Sequence, residues 1–264
     1  MSNISAKDVQ SLRQATGAGM MDAKKALIET NGDMDKAKLW LREKGLSSSS
    51  SRASRENTQG AIALSSHGEA TSMVELKCET DFVAKSEQFV NFVQDLADLV
   101  AAKGPESVSE LAGQVDQLKI TLKENIEIGQ AIQLVAGAGS NVGTYLHVQA
   151  GRGVNGVLVE LEGGNPEIAH DIAVHIAFTK PQYLNRDQVP ADEVDRERAT
   201  IENISRNEGK PEAALPKIVE GRLTGWFKDR CLLEQDYVRD EKQSVVTHLQ
   251  GAKIIRYYQV VIGG

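Results

Sequence analysis

The sequence contains little cysteine, and its cysteines are not spaced as metal ligands. The two cysteines, Cys78 and Cys231, lie far apart among the 264 residues, and neither belongs to a C-x-x-C motif. This pattern excludes a disulfide-stapled secreted scaffold and argues against a structural zinc site. Reduced thiols in a cytosol are the simplest interpretation.

Long hydrophobic runs and targeting segments are also missing. No apolar stretch approaches the roughly 20 residues that a membrane-spanning helix needs. The first residues, Met1–Asp8, lack both the apolar core of a secretory signal and the arginine-rich pattern of a transit peptide. We therefore expect a cytoplasmic protein that has no membrane partner.

Positive charge is in the minority. The chain has 30 Lys and Arg against 37 Asp and Glu, which gives a formal net charge of −7. Proteins that bind polyanions usually carry net positive charge, so we expect no direct nucleic-acid partner. The 25% charged and 41% hydrophobic residues are typical of a globular chain, here long enough for two domains.

The first part of the chain, residues 1–46, has the pattern of three short helices separated by glycines. Ser5 and Asp8 fit a capping box at the start of the first helix. Gly45 is expected to end the third helix. The segment 47–59 is serine-rich and polar, which predicts a linker that lets the helical module move.

The rest of the chain uses one pattern, strand–turn–strand–helix, twice. The copies cover residues 60–140 and 141–264. We expect an α+β fold with two related subdomains, each a short antiparallel sheet with helices on one face. Residues 190–229 interrupt the second copy with two helical patterns around a turn, which predicts an inserted antiparallel helical hairpin.

The sequence shows no recognisable catalytic constellation. Gly151–Gly156 matches G-x-G-x-x-G, but a strand follows where dinucleotide binding needs a helix, so a hairpin turn is the better interpretation. The five histidines are scattered. His175 is expected to pack on an apolar helix face, and His147 to lie at the surface. We predict no enzyme activity, no cofactor and no metal site.

The segment Glu75–Phe89 is the most informative part of the chain. A strand ends near Cys78 and a helix begins near Asp81, for which Thr80 or Asp81 is a suitable N-cap. Phe82 follows in the first helical turn. Two interpretations of Phe82 stay open: a capped core residue, which is the commoner case, or a protruding wedge that enters a partner with Asp81 beside it.

Two long motifs resemble signatures of the bacterial elongation factor Ts family. They are Thr16–Leu27, TGAGMMDAKKAL, and Glu75–Lys85, ELKCETDFVAK. Shorter matches, such as Gly143–His147, extend the resemblance over essentially the whole chain. The sequence departs modestly from the family pattern at Ala23 and Lys77, where many members have cysteine and asparagine.

The resemblance implies a guanine-nucleotide exchange factor whose partner is elongation factor Tu. In that family the first module is similar to ubiquitin-associated (UBA) domains and docks on the GTPase, where Lys24 matches a position that can meet an acidic surface. A Thr-Asp-Phe-Val loop, here Thr80–Val83, inserts between GTPase helices and disturbs the magnesium and phosphate site. The histidine of the second subdomain, here His147, engages from the same side.

Other classes of function remain as hypotheses. An adaptor would bind varied peptides or ubiquitin-like proteins through residues 1–46 alone, whereas an exchange factor would capture one dominant GTPase that excess GDP releases. A small enzyme would require a ligand bound at residues 151–156. The sequence leaves open the oligomeric state and the role of the helical hairpin.

Overall fold

The computed structural model describes residues 4–50 and 53–263, with residues 46–50 described by their backbone. These residues divide into two compact units. The first contains residues 4–133, 148–154 and 260–263, and the second contains residues 134–147 and 155–259. No helix of the described segments combines the length and the apolar character that crossing a membrane requires.

Helices and strands follow one another in an order that matches the predicted α+β class. The helices within the described ranges are α1 (Ala6–Thr16), α2 (Met20–Glu29), α3 (Met34–Ser50), α4 (Asp81–Ala84), α5 (Glu87–Lys103), α6 (Ala112–Leu122), α7 (Pro166–Thr179), α8 (Ala191–Asn207), α9 (Leu215–Arg230) and α10 (Val245–His248). The strands are β1 (Gln59–His67), β2 (Ala70–Cys78), β3 (Glu127–Val135), β4 (Ser140–Gln149), β5 (Arg152–Glu162), β6 (Asp236–Tyr237), β7 (Asp240–Ser244) and β8 (Lys253–Val261).

The three predicted N-terminal helices are confirmed, and the first begins as the sequence indicated. The Ser5 hydroxyl accepts a hydrogen bond from the Asp8 N–H, and the Asp8 carboxylate accepts one from the Ser5 N–H, both at 3.1 Å. This reciprocal capping box satisfies two N–H groups that the helix itself leaves without partners. Gly17 then ends α1 in the left-handed region, with φ at 67°.

The prediction that Gly45 ends the third helix is wrong, because α3 continues through it to Ser50. A Cβ atom at residue 45 would lie 2.8 Å from the Ile120 side chain of α6, so glycine allows a close approach of the two helices. Helix elongation costs little once a helix has formed, and α3 extends into the serine run. Of the predicted linker, residues 51 and 52 lie outside the described residues.

The helical module packs against α6 within the first unit. The Gln117 side chain donates to the Thr16 carbonyl at 3.3 Å. The Thr121 side chain lies 3.2 Å from the place that a Cβ atom would take at Gly17. These contacts define one position of the module, and its movement on the linker stays a prediction.

The sheet of the first unit is built on the β1–β2 hairpin. The two strands are antiparallel, with Gln59 opposite Cys78 and His67 opposite Ala70. β3 lies along β2, and β1 meets the start of β5, where Ile62 is opposite Gly153. Helix α5 packs against β1 and β2 and buries one apolar face in a common core. This is the predicted arrangement of a short sheet with a helix on one face.

The second unit places α7 in one core with apolar side chains of β5 and β8. β5 pairs with both β4 and β8. The glycine motif opens β5, and Ala150 and Gly151 form the turn before it with φ values of 51° and 81°. Positive φ at both central residues is typical of two-residue hairpin turns, which confirms the hairpin interpretation of this motif.

The predicted helical hairpin is present as α8 and α9, which pack against each other in the second unit. Pro216 stands in the first turn of α9, where its missing N–H costs nothing. Arg222 and Glu208 pair at 2.6 Å across the hairpin, and Arg198 pairs with Glu220. Both ion pairs are largely exposed, so packing of buried residues such as Leu223 carries most of the stability.

His175 is fully buried on α7, as predicted for a packed histidine. The Val238 N–H donates to its Nδ1 at 3.2 Å, and its Nε2 lies 2.9 Å from the Gln235 side-chain oxygen. Nδ1 therefore accepts and Nε2 carries the proton, so the ring is neutral. Burial lowers the pKa of His175 below its ordinary value.

We expect the second unit to lose stability in mild acid because of His175. Its folded pKa is lowered, so its stabilisation is complete above the unfolded pKa of about 6.5 and declines as the pH falls towards the folded value. The free energy of unfolding, measured in urea at pH 7.5 and pH 5, should fall more for the native chain than for His175→Gln. Equal pH dependence of the two proteins would contradict this assignment.

Candidate partner-binding site

The segment that follows β2 forms a short capped turn. Thr80 is the N-cap of α4, and its hydroxyl accepts a hydrogen bond from the Val83 N–H at 3.3 Å. The helix predicted from Asp81 is present, but it is one turn long and separate from α5. The Ser86 hydroxyl donates to the Val83 carbonyl at 2.7 Å, which offers that carbonyl a partner outside a continuous helix.

Phe82 projects from this turn into solvent. Its exposure is 84%, while the neighbouring Ala84 is fully buried and Val83 packs against the core of the first unit. The interpretation of Phe82 as a capped core residue is therefore wrong. The turn presents a large aromatic side chain from a backbone that its own neighbours hold in place.

Asp81 lies beside Phe82 and forms an ion pair with Lys85, one helical turn later. The Lys85 Nζ and the Asp81 Oδ2 are 2.5 Å apart. The hydrogen bond from Lys85 lowers the pKa of the Asp81 carboxyl below its ordinary value. Asp81 is therefore ionised at neutral pH, and the end of the turn presents a carboxylate next to the aromatic ring of Phe82.

Glu124, which sequence analysis missed, meets this turn from the residues just after α6. Its carboxylate accepts hydrogen bonds from the Glu79 N–H at 3.0 Å, the Thr80 N–H at 3.1 Å and the Thr80 hydroxyl at 2.5 Å. The side chain is only 9% exposed. Glu124 and Thr80 are 44 residues apart in sequence, and no local motif links them.

His147 belongs to the second unit, where it lies on β4 and is exposed, as the sequence predicted. The Tyr145 hydroxyl lies 3.3 Å from its Nδ1. The two rings are stacked with an interplanar angle of 22° and centroids 6.4 Å apart. Tyr145, two residues earlier on the same strand face, therefore orients the imidazole through its Nδ1.

Lys24 lies on α2 in the helical module and is exposed. The same helix exposes three large apolar side chains, Met20 at 60%, Met21 at 75% and Ile28 at 54%. Residues four apart share one side of a helix, so Lys24 stands between Met20 and Ile28. This side of α2 combines one positive charge with an apolar surface.

The thiols in the structure are not activated nucleophiles. Burial raises the pKa of Cys78 to about 12 and that of Cys231 to about 11. Among the described residues, no group of three His, Cys, Asp or Glu side chains is arranged to hold a metal ion. The candidate contact residues of the first unit are the exposed aromatic tip, Phe82 with Asp81, and the exposed side of α2 that carries Lys24; the candidate of the second unit is the exposed His147.

Comparison with known proteins gives consistent matches to one family. A profile of the family described as Elongation factor TS matches residues 79–264. Elongation factor Ts of Clavibacter michiganensis is 46% identical over 265 residues, which cover 96% of this chain and 95% of that protein. The same factor of Corynebacterium aurimucosum is 44% identical over the full length of both chains, and that of Thermobifida fusca is 41% identical.

The matched proteins are translation elongation factors, and the similarity covers both compact units. This chain belongs to the elongation factor Ts family.

We expect Phe82 to contribute almost nothing to folding. Phe82→Ala should change the free energy of unfolding by no more than about 0.5 kcal/mol, because the ring is exposed. Phe89→Ala, which removes a fully buried ring of the same unit, should cost about 3–5 kcal/mol. Urea denaturation of both variants measures the difference, and a large loss for Phe82→Ala would mean that the ring packs against the protein.

Proposed function

We propose that this chain binds elongation factor Tu in its GDP-bound form and accelerates the release of GDP, so that GTP can bind. The observation that carries this proposal is the exposed Phe82 on a capped turn, in a chain of the elongation factor Ts family. A single aromatic side chain held in a fixed position suits insertion between two packed elements of a partner.

Linkage sets what such a protein must do. To favour nucleotide release, it must bind the nucleotide-free GTPase more tightly than the nucleotide-bound form. Nucleotide then weakens the binding of the factor by the same ratio. This exchange makes and breaks no covalent bond, so the chain acts without enzyme chemistry or a cofactor of its own.

The wedge acts on the site that holds magnesium and the β-phosphate of GDP. Those ligands depend on short-range geometry, and a displacement of about 1 Å is enough to weaken them strongly. Phe82 inserts between helices of the GTPase domain, and the ionised Asp81 accompanies it. Thr80 and Val83 contribute as the cap and the base of the same turn.

The remaining contact residues serve docking. The helical module, residues 1–46, acts as a UBA-like unit that docks on the GTPase domain, with Lys24 facing an acidic surface. His147 of the second unit is a further contact with the same GTPase. The subdomain boundaries at 60–140 and 141–264 belong to this proposal, as does the linker at 47–59, of which residues 47–50 form the end of α3. The partner is a protein of the cytoplasm, and this chain makes no direct contact with nucleic acid or membrane.

Removing Phe82 and Asp81 should slow GDP release, whereas removing another exposed aromatic side chain should not. Stopped-flow release of fluorescent GDP from elongation factor Tu should be accelerated by the native chain, and the double variant Asp81→Ala with Phe82→Ala should lose about tenfold or more of that acceleration. Phe178→Ala is the matched control, because Phe178 is also highly exposed, at 75%, but lies on α7. Its acceleration should equal that of the native chain.

The outcomes separate two failures of the proposal. If the double variant accelerates release as well as the native chain, exchange occurs but Phe82 and Asp81 do not drive it. If the native chain does not accelerate release at all, the exchange function itself is wrong.

His147 should matter less than Phe82 in the same assay. The imidazole is exposed on a strand and meets the partner at its surface, whereas the Phe82 ring enters it. His147→Ala should therefore reduce the accelerated rate by a smaller factor than Phe82→Ala. Equal losses would show that insertion of Phe82 is not the leading contact.

A further inference from the structure

We propose that Glu124 is a positioning residue for the exchange reaction: it holds the turn that presents Phe82 and Asp81, and it does so without touching the partner. The inference rests on the proposed function, since the consequence of the positioning is measured in GDP release. The positioning itself is a property of the free chain.

The Glu124 carboxylate accepts three hydrogen bonds from the turn, two of them from backbone N–H groups. One carboxylate takes two consecutive backbone N–H groups, those of Glu79 and Thr80, on its Oε2, and the Thr80 hydroxyl on its Oε1. Hydrogen bonds to an ionised acceptor are about twice as strong as those between neutral groups. This part of the backbone links the end of β2 to the start of α4, so its direction sets the direction of the turn.

The second step is the relay through Thr80. Its hydroxyl donates to Glu124 at 2.5 Å and accepts from the Val83 N–H at 3.3 Å. The donated proton fixes the rotation of the hydroxyl and aims a lone pair at α4. Glu124 thereby orients the cap of the helix that carries Phe82.

The third step is burial. Glu124 is 9% exposed, and water has little access to replace it. Removing the carboxylate leaves three donors without their acceptor at a part-buried junction, which costs more than the loss of a hydrogen bond at the open surface. The loss destabilises the native orientation of the turn, because a turn that moves towards solvent can form these hydrogen bonds with water instead.

The neighbouring Asn125 strengthens the same junction in the opposite sense. Its N–H donates to the Glu79 carboxylate at 2.6 Å, while its side-chain amide donates to the Arg55 carbonyl at 2.9 Å. Residues 124–125 and 79–80 therefore exchange hydrogen bonds in both directions. This reciprocity restrains the junction in more than one direction.

Hydrogen exchange on the free chain tests the positioning without any partner. In Glu124→Ala, the amides of Glu79, Thr80 and Val83 should exchange about tenfold faster or more, while amides of the β1–β2 ladder keep their native rates. Glu124→Gln should keep most of the protection, because its amide oxygen can still accept both backbone N–H groups. Native protection at these amides in Glu124→Ala would overturn the proposal.

Glu75→Ala is the matched control. Glu75 is also a buried carboxylate of the first unit, 6% exposed, but it accepts from the Gln130 N–H and pairs with Lys77 on β2. Its removal disturbs the sheet and not the turn. It should leave the amides of Thr80 and Val83 protected, and equal loss there would reduce the Glu124 effect to general destabilisation.

A double-mutant cycle then tests the consequence for exchange. Glu124→Ala should slow the accelerated release of GDP by about tenfold. In the background of Asp81→Ala with Phe82→Ala the same change should have little further effect, because a residue that acts through these two side chains has nothing left to position. Additive effects would mean that Glu124 acts by another route and would overturn the proposal.

Two provisions keep the test decisive. If Glu124→Ala does not fold, Thr80→Val removes the relay with a side chain of the same shape, and it should expose the Val83 amide and slow GDP release. If the native chain fails to accelerate GDP release, the proposed function is wrong, while hydrogen exchange still decides whether Glu124 positions the turn.

Discussion

The geometry of the exposed tip depends on the hydrogen bonds that the buried carboxylate of Glu124 accepts. Glu124 stands directly after the left-handed residue that ends α6, Lys123, with φ at 60°. One turn earlier, Ile120 of the same helix meets Gly45 of α3. A single short helix, α6, therefore contacts the helical module and leads directly to Glu124, which holds the Phe82 turn. Since protein interiors resist deformation, a shift of α6 would be felt at both places.

The use of phenylalanine divides the chain into core and surface. Phe89, Phe92 and Phe227 are buried, whereas Phe82 and Phe178 are highly exposed. Exposure of one apolar ring is ordinary on a folded protein and indicates nothing by itself. What distinguishes Phe82 is its support, because a capped turn, a buried alanine and a paired carboxylate surround it. The surroundings of Phe82, more than its exposure, therefore support its proposed role in binding a partner.

Local rules predicted the parts of this fold that depend on local contacts. The capping box at Ser5, the hairpin turn at the glycine motif and the helical hairpin of α8 and α9 all follow from the residues involved. The end of α3 was predicted wrongly because the glycine at position 45 allows a close approach of the distant Ile120 side chain and does not end its own helix. Glu124 was missed for the same reason, since a carboxylate that caps a turn 44 residues away leaves no local pattern. The candidate site was predictable as a segment, whereas its supporting contacts required the three-dimensional structure.

Under the proposed function, a tip held in a fixed position follows from the way nucleotide exchange uses binding energy. A flexible loop would lose conformational entropy on insertion, and that loss would be taken from the energy available to displace the magnesium and phosphate ligands of the partner. A turn already fixed by Glu124, Thr80 and the buried Ala84 has little left to lose. Under the proposed function, more of the contact energy of Phe82 is then available to distinguish the nucleotide-free partner from the nucleotide-bound one, and only this difference in binding energy shifts the equilibrium. The same reasoning explains why a buried carboxylate supports a residue that itself lies in solvent.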